Sequence, residues 1–481
     1  MTQPVGSGQP REFDFQRLQK IVSLVEGQSS PFKAVDRSTL GETGDHDVIV
    51  MKPMPIGDLA RSNGVVTNEI QKDLEGRGID VEAPLETVGG VAARVNPEEM
   101  TKLKSEGYLV YDNSRRSLIP GFPGKSFNGD PTKMPEVNFR ALTGADQMNA
   151  QGFTGKGQVV AVVDSGFQHP ATPLVAFKDF VDNSPTPVDP VGHGTHVAGD
   201  ILQVAPDAQI VGVRVMNGDG QGRPSDIIRG LQWVLQNYQK YNISTVNMSL
   251  GGGPDGFPDT MDPVNRAVDK LIQRGVTVVS AAGNSGPEGH TIGAPADGAL
   301  NITVGASFDK TRVSEFSSRG PTDDGLSKPD LMAPGEFIVS WSVPGSQMHQ
   351  MGTVIEKLRN MKDDEFVALC ENKPELIENL GLPRDILQRS PQERMDILHK
   401  TLPPIFLPSA DTLAAPGTSF AAPIVAGIVA DLKQADPTAG PQRIKEVLRK
   451  TADPMDSRFG PNDQGAGFVD GVEALDTVRG K

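Results

Sequence analysis

Three short segments of the chain place an aspartate, a histidine and a serine among small residues. Asp164 ends an apolar run, His193 stands between two glycines, and Ser419 precedes an apolar stretch. A serine hydroxyl is too weakly acidic to attack a carbonyl unaided, so an imidazole must accept its proton and a carboxylate must fix the imidazole tautomer. Because the order Asp, His, Ser is one known arrangement of these groups, the three residues predict nucleophilic catalysis at Ser419.

Each of these residues also has an ordinary structural explanation. An aspartate after a strand is commonly a turn residue, and a serine before a helix is commonly its N-cap. The catalytic interpretation therefore depends on their joint occurrence and on a fourth residue, Asn284. Asn284 follows Ala282 and Gly283, just after a predicted buried strand. Asn284 could be an ordinary turn residue. Alternatively, its side-chain amide could donate to an oxyanion beside the backbone N–H of Ser419.

Strands and helices alternate around these residues from about residue 137 onward. This alternation predicts an α/β domain, residues 137–481, with a parallel sheet covered by helices on both faces. Asp164, Ser249 and Asn284 all follow predicted strands, so the site is expected at the carboxyl ends of those strands. The predicted strands cover residues 158–163, 209–215, 244–248, 276–280 and 301–305.

The rest of the chain divides into further segments. Residues 1–46 are an extension expected to be partly helical or disordered, with an amphipathic helix predicted over residues 13–25. Residues 47–115 predict a small α+β domain in the order strand, helix, strand, helix, strand, with Thr67 and Asn96 as the N-caps of its two helices. Residues 116–136 are rich in Pro and Gly and form a connector in which cleavage is expected. Residues 346–412 favour helix and predict two or three helices inserted into the α/β domain.

Four motifs taken together resemble the signature motifs of the subtilisin-like serine proteases (subtilases, peptidase family S8), in the same order. The resemblance covers roughly residues 137–345 and 413–475. It implies a three-layer α/β fold with a central parallel sheet, and a serine endopeptidase that acts through an acyl-enzyme. The four motifs are Asp164-Ser165-Gly166, His193-Gly194-Thr195-His196-Val197-Ala198-Gly199, Ala282-Gly283-Asn284 and Gly417-Thr418-Ser419-Phe420-Ala421-Ala422-Pro423.

The resemblance also implies roles along a substrate cleft. The segment Ser249-Leu250-Gly251 would pair with the substrate backbone as an added strand, and Ala282 and Gly283 would help to wall the first specificity pocket. Asp164, His193 and Ser419 would form the catalytic triad, with Asn284 in the oxyanion hole.

Residues 47–115 resemble the inhibitory propeptide of this family in element order and position. This implies a self-inhibited zymogen that cleaves itself within residues 116–136, with protein or peptide substrates and its own propeptide as an intramolecular inhibitor. Two alternatives stay open: a latent protease that only a partner opens, and a catalytically silent binding module on the same fold.

Composition and the N-terminal residues lead to expectations about binding partners and cellular location. The 481 residues carry a net charge of -15, which disfavours nucleic acid and anionic membranes as partners. The polar N-terminus has no visible signal peptide and no stretch is long and apolar enough for a membrane span. A cytoplasmic location is therefore expected, with secretion as the alternative. The single cysteine, Cys370, allows no internal disulfide.

No metal ligand is assigned from the sequence. After Gly199 the chain runs directly to Val204, without the longer calcium-binding loop that many members of the resembled family have there. Calcium stays open as a cofactor, and no other cofactor is expected. Asp179, Asp182 and Asp189 could hold a cation, although acidic loops of this kind are usually only solvated.

Overall fold

The computed structural model describes residues 15–26, 44–54, 58, 64–118, 133–135, 137–254 and 256–481. Helix α1 (Phe15–Glu26) lies where the sequence predicts an amphipathic helix. The rest of the N-terminal extension and most of the 116–136 connector lie outside the described residues.

The described residues of the unit that follows form a four-stranded antiparallel sheet with two helices. Its strand order is β2-β3-β1-β4. Val50 from the sheet and Ile70 and Leu74 from α2 are completely buried in its core. In chain order the elements are β1 (His46–Met51), α2 (Val65–Gly76), β2 (Asp80–Leu85), β3 (Gly90–Val95), α3 (Pro97–Ser105) and β4 (Leu109–Asp112).

The sequence-based prediction of this unit differs from the structure in two places. Strand β2 was not predicted, because this edge strand exposes Asp80, Glu82 and Pro84 to solvent and therefore has no apolar signal. Thr67 was expected to cap α2, but it is completely buried inside the helix, which begins at Val65 behind Gly64. The predicted cap of α3 at Asn96 does form, since its side chain accepts from the Glu99 backbone N–H.

A seven-stranded parallel sheet forms the centre of the larger domain. Its strand order is β13-β12-β11-β10-β6-β8-β7. Every residue of β6, β11 and β12 is buried, because helices cover both faces of the sheet. The strands are β6 (Val159–Asp164), β7 (Leu174–Asp179), β8 (Gln209–Arg214), β10 (Ile243–Met248), β11 (Thr277–Ala281), β12 (Ile302–Ser307) and β13 (Leu331–Pro334).

The covering helices pack as two pairs. Helix α6 (His193–Val204) packs against α13 (Thr418–Ala435), and α7 (Pro224–Tyr241) packs against α8 (Pro263–Gln273). This is the subtilisin-like α/β arrangement that the sequence predicts. Five further helices are α4 (Phe139–Thr143), α5 (Ala145–Ala150), α14 (Pro441–Lys450), α15 (Pro461–Gln464) and α16 (Gly471–Val478).

The parallel register brings the ends of three strands to one edge of the sheet. Met248 pairs with Ser280, and Asn247 pairs with Val162. The residues that follow these strands, including Ser249 and Asn284, therefore lie at the same carboxyl edge as Asp164, the last residue of β6.

The inserted segment is more structured than the predicted two or three helices. It contains four α-helices, a short 3-10 turn over Ile386–Gln388, and then a hairpin that pairs with β14 in the sheet order β14-β16-β15. The elements are β14 (Ile338–Trp341), α9 (Gln347–Arg359), α10 (Asp363–Asn372), α11 (Glu375–Leu380), α12 (Pro391–Thr401), β15 (Phe406–Ser409) and β16 (Thr412–Ala415). Across the described ranges, none of the helices combines the length and apolarity that a membrane span requires.

Candidate active site

Asp164 and His193 form a buried hydrogen-bonded pair. Asp164 ends β6 and His193 opens α6, and their side chains are 0% and 1% exposed. The Nδ1 atom of His193 lies 2.8 Å from Oδ1 of Asp164. The second ring nitrogen, Nε2, is buried and has no hydrogen-bond partner among the described residues. The carboxylate therefore holds the proton on Nδ1, which leaves the lone pair of Nε2 free.

Opposing effects act on the pKa of His193. Burial alone would lower it, but the negative charge of Asp164 and its hydrogen bond to the ring outweigh burial, so the pKa is raised above 6.5. The charges of Asp189 and Asp200 act in the same direction. The pair is therefore suited to stabilising an imidazolium once it forms.

Asp189 orients the start of the helix that carries His193. Its carboxylate accepts the backbone N–H groups of Gly192 and Thr195, both at 2.8 Å, and the hydroxyls of Thr195 and Ser165, at 2.6 and 2.8 Å. Burial raises the pKa of Asp189, and these hydrogen bonds only partly oppose it. From the sequence, Asp189 was considered only as a possible cation ligand. Its position four residues before His193 is the sequence feature that could have indicated a role at the start of this helix.

Ser419 lies in the first turn of α13 and is bonded in both directions to Ser249. Its Oγ donates to the Ser249 carbonyl over 3.2 Å, and the Ser249 hydroxyl donates to the Ser419 carbonyl over 2.7 Å. Ser419 is only 3% exposed. The ring of Phe420 lies 5.4 Å, centroid to centroid, from that of His193. Ser419 is therefore followed in the chain by a residue whose ring contacts that of His193, and its own hydroxyl is directed to Ser249.

The Asn284 side chain is held in one orientation by Thr418. Its Oδ1 accepts both the backbone N–H and the hydroxyl of Thr418, each over 2.9 Å. The same hydroxyl accepts the Gly283 backbone N–H over 3.1 Å. Because Oδ1 is occupied in this way, the amide nitrogen of Asn284 is left free to donate elsewhere. The sequence analysis did not identify Thr418, although it stands directly before Ser419.

A cavity of about 240 Å³ opens beside Ser419. Of the predicted substrate-binding residues, Leu250, Gly251, Ala282 and Gly283 line it, together with Asn284 and Ser419. Ser249 does not line the cavity, since it is completely buried behind Ser419. Ser419, Asn284 and four of the five predicted substrate-binding residues therefore line one cavity, and Ser249 lies directly behind it.

The end of the N-terminal unit lies in this cleft as a short strand. Strand β5 (Arg116–Ser117) pairs antiparallel with β9 (Gln221–Gly222). Ser117 lines the same cavity as Ser419. The Leu118 carbonyl accepts the Gly251 backbone N–H over 3.1 Å, and Leu118 is 1% exposed. The chain's own segment thus uses backbone groups that a peptide would use.

Calcium does not fit the acidic residues considered from the sequence. Among the described residues, His, Cys, Asp and Glu side chains form no group of three or more that could hold a metal ion. Asp179 and Asp182 are both bonded to Arg214, over 2.9 and 2.7 Å, and Asp189 is used as described above. All three aspartates are therefore engaged in contacts within the protein.

Comparison with known protein families identifies the family to which the chain belongs. The model of the subtilase family matches residues 155–366 and 398–470. The chain belongs to the subtilase family. It is a subtilisin-type serine protease, a hydrolase of peptide bonds. The gap between the two matched segments, residues 367–397, lies inside the helical insertion and includes α11.

Curated subtilases share much of this chain. Serine protease AprX of Bacillus subtilis is 35% identical over 353 residues, which cover 68% of each protein. Subtilisin E of the same organism is 38% identical over 215 residues, which cover 42% of this chain and 52% of subtilisin E. A solved structure of a cold-adapted subtilisin-like serine proteinase has a TM-score of 0.44 and 27% identity, and covers 66% of this chain and 88% of that one.

The relatives also correct the expected location. They include several subtilisins and the alkaline serine exoprotease A of Vibrio alginolyticus, which is 32% identical over 56% of this chain. Such homologues are secreted extracellular proteases, so the cytoplasmic expectation is wrong. That expectation depended on the polar N-terminal residues alone, and these do not determine the compartment in which a subtilase acts.

Proposed function

We propose that this subtilase is an endopeptidase that forms an acyl-enzyme on Ser419. Ser419 Oγ forms a bond to the substrate carbonyl carbon while Nε2 of His193 accepts the hydroxyl proton. Collapse of the tetrahedral adduct breaks the C–N bond, and protonated His193 gives its proton to the leaving amine. Water then attacks the acyl-enzyme with His193 again as base, which releases the acid and regenerates Ser419.

The observation that carries this proposal is the buried Asp164–His193 pair together with Ser419, which lines the cavity and is followed by Phe420, whose ring contacts that of His193. With its Nδ1 proton held by Asp164, the ring offers Nε2 as the base. The Ser419 hydroxyl now donates to the Ser249 carbonyl. Attack therefore requires this hydroxyl to rotate toward Nε2, a change that substrate binding is able to drive.

Asn284 is proposed to stabilise the oxyanion with the backbone N–H of Ser419. Its amide nitrogen is directed by the two bonds that Thr418 makes to Oδ1. Preorganised donors of this kind act where charge develops in the transition state, and they need no reorganisation at that moment. The position of Ser419 at the start of α13 favours the same negative charge through the helix dipole.

We further propose that residues 46–118 form the inhibitory part of a zymogen. The described part of the unit contacts the catalytic domain at α7 and also at α8, where the Met54 carbonyl accepts a hydrogen bond from Arg266. Asn113 accepts the Ser225 backbone N–H over 2.9 Å, and Glu82 pairs with Arg223 over 2.9 Å. Thr87 donates to Gln232 over 3.1 Å. These contacts support an inhibitor that leads strand β5 into the cleft.

The proposed cleavage site lies after Leu118 and before residue 137. The backbone of Leu118 is bonded on both sides, to Gly220 and to Gly251. The chain up to this residue therefore occupies the cleft as an acyl-side peptide would, and its continuation is the part that would reach Ser419. Protein and peptide substrates would replace this segment after release.

The test is intact mass over time for purified wild-type chain and for Ser419→Ala. The proposal expects the wild-type chain to split into two fragments whose junction lies between residues 119 and 136, while Ser419→Ala stays whole. A serine-directed fluorophosphonate should then label the larger fragment. Full-length wild-type chain that never labels would refute the self-activating zymogen. Full-length chain that labels only after a partner is added would instead favour the latent protease.

A further inference from the structure

The N-terminal helix α1 is packed on the helical insertion, far along the chain from its own position. Leu18, Ile21 and Val25 form its apolar face and are 1%, 0% and 8% exposed. They belong to the same apolar cluster as Leu358 and Leu380 of the insertion. The contacts of α1 are with α9 and α11.

Polar contacts fix this packing at both ends of α1. Near its start, Nε of Arg17 donates to the Asn379 carbonyl over 2.6 Å. Near its end, Glu26 pairs with Lys357 over 3.1 Å, and Lys373 donates to the Leu24 carbonyl. Buried residues on one face, with charged contacts at each end, define a specific docking site and not a chance contact.

Helix α1 needs this site in order to be a helix. It has 12 residues, and isolated helices of that length are marginal in water. Its partner α11 lies in residues 367–397, the part of the insertion outside the subtilase family match. Helix α9 lies inside the family match, so the α11 part of the site for α1 is what this chain adds to the matched domain.

We propose that the α9–α11 face of the insertion is a second anchor for the inhibitory part of the chain. This rests on the proposed inhibitory role of residues 46–118. After the connector is cut, the N-terminal fragment would stay bound through two separate contacts, one with α7, α8 and the adjoining cleft and one with the insertion. Residues 27–45 tether α1 to β1, so opening of one contact leaves the other holding the fragment nearby.

The two contacts make release a sequential event. While one contact holds, the other rebinds from an effective concentration that is set by the covalent link between them. Complete release then requires both to be open at once. The occupant of the insertion face is the chain's own amphipathic helix, and the insertion acts as a brake on activation.

The test uses the Ser419→Ala chain with a recognition sequence for a site-specific protease placed within residues 121–128. After cleavage in trans, dissociation of the N-terminal fragment is followed by size-exclusion chromatography and native mass spectrometry. Ile21→Asp places a charge on the buried face of α1 and should speed dissociation at least tenfold. Lys20→Asp changes an exposed residue of the same helix and should leave the rate unchanged.

A second variant guards against a general folding defect. Arg17→Ala keeps the apolar face but removes the bond to the Asn379 carbonyl, and should speed dissociation about threefold or more. Equal rates for Ile21→Asp, Arg17→Ala and Lys20→Asp would overturn the anchor. If native mass spectrometry shows a dimer of the chain, and Ile21→Asp converts it to a monomer, then α1 binds the insertion of a second chain and the intramolecular anchor is overturned. Because the chain is cut in trans, these outcomes do not depend on whether the wild-type chain cleaves itself.

Discussion

Removal of the Thr418 hydroxyl tests how the proposed oxyanion donor is held in place. Thr418→Val keeps the side-chain shape, but Asn284 Oδ1 then retains only the bond from the Thr418 backbone N–H, and the Gly283 backbone N–H loses its acceptor. One net hydrogen bond is worth about 1 kcal/mol, with a range of about 0.5–1.5. Because 1.36 kcal/mol corresponds to a tenfold change in rate, kcat should fall about fivefold, with limits of about 2- and 13-fold.

The assay is kcat and KM on a chromogenic peptide with matured enzyme, arranged as a double-mutant cycle. Asn284→Ala should lower kcat by about 10²–10³-fold, a magnitude that comes from subtilisin itself. Because Thr418 acts through Asn284, adding Thr418→Val to Asn284→Ala should cause no further loss. Thr418→Ser keeps the hydroxyl and should restore most of kcat. KM should stay within about twofold throughout, since the effect belongs to the transition state.

One result would refute this reasoning. If Thr418→Val slows Asn284→Ala as much as it slows the wild type, the hydroxyl acts independently of the amide. Thr451→Val is the matched control, since Thr451 is also buried and donates to a backbone carbonyl over 2.9 Å, that of Val447. It should lower stability without changing kcat.

Three further predictions concern ionisable groups. The proposed base must be neutral, and the pKa of His193 is raised above 6.5. The value of kcat/KM should therefore fall toward acid pH with a midpoint above 6.5. Asp200→Asn removes a nearby negative charge and should lower this midpoint. Burial raises the pKa of Asp431 to about 9, so the folded state keeps a proton that the unfolded state loses near pH ~4. Stability should therefore decline as pH rises between these values, and Asp431→Asn in the Ser419→Ala chain should flatten the decline in melting temperature; an unchanged slope would contradict a buried neutral carboxyl. Burial raises the pKa of Cys370 to about 11, so maleimide should label it at neutral pH only after denaturation, and rapid labelling of the native chain would contradict its buried position.

The sequence indicates where the proposed site residues lie in the fold because each of them stands in a contiguous motif. Asp164, His193, Asn284 and Ser419 each lie at the end of a strand or the start of a helix, and the alternation of elements brings those ends together. The parallel register then determines that they share one edge of the sheet.

What the sequence does not predict depends on contacts between distant segments. Thr418 and Asn284 are 134 positions apart, and Arg17 and Asn379 are 362 apart. Nothing in either segment alone indicates its partner. Strand β2 was missed for a different reason, since an exposed edge strand with acidic residues and Pro84 lacks the apolar periodicity on which such predictions depend.

The insertion is physically joined to the helix that carries His193. The first residues of α9, Gln347 and Met348, donate backbone N–H groups to the Pro190 and Val191 carbonyls, each over 3.0 Å, just before that helix begins. These bonds tie the start of the insertion to the loop that presents His193.

A second set of contacts joins the same helix to the strands on either side of the insertion. The Ser340 hydroxyl of β14 donates to the His196 carbonyl over 2.8 Å, and Nε2 of His196 lies 3.0 Å from the Leu413 carbonyl of β16. His196 and its partner Asp200 are completely buried. Leaving a buried polar group without a partner costs about 1–3 kcal/mol. If these strands moved away alone, both bonds of His196 would break and each buried group would incur that cost, so α6 is expected to move with the strands. The insertion is therefore coupled to the position of the imidazole, which an independent surface appendage would not be.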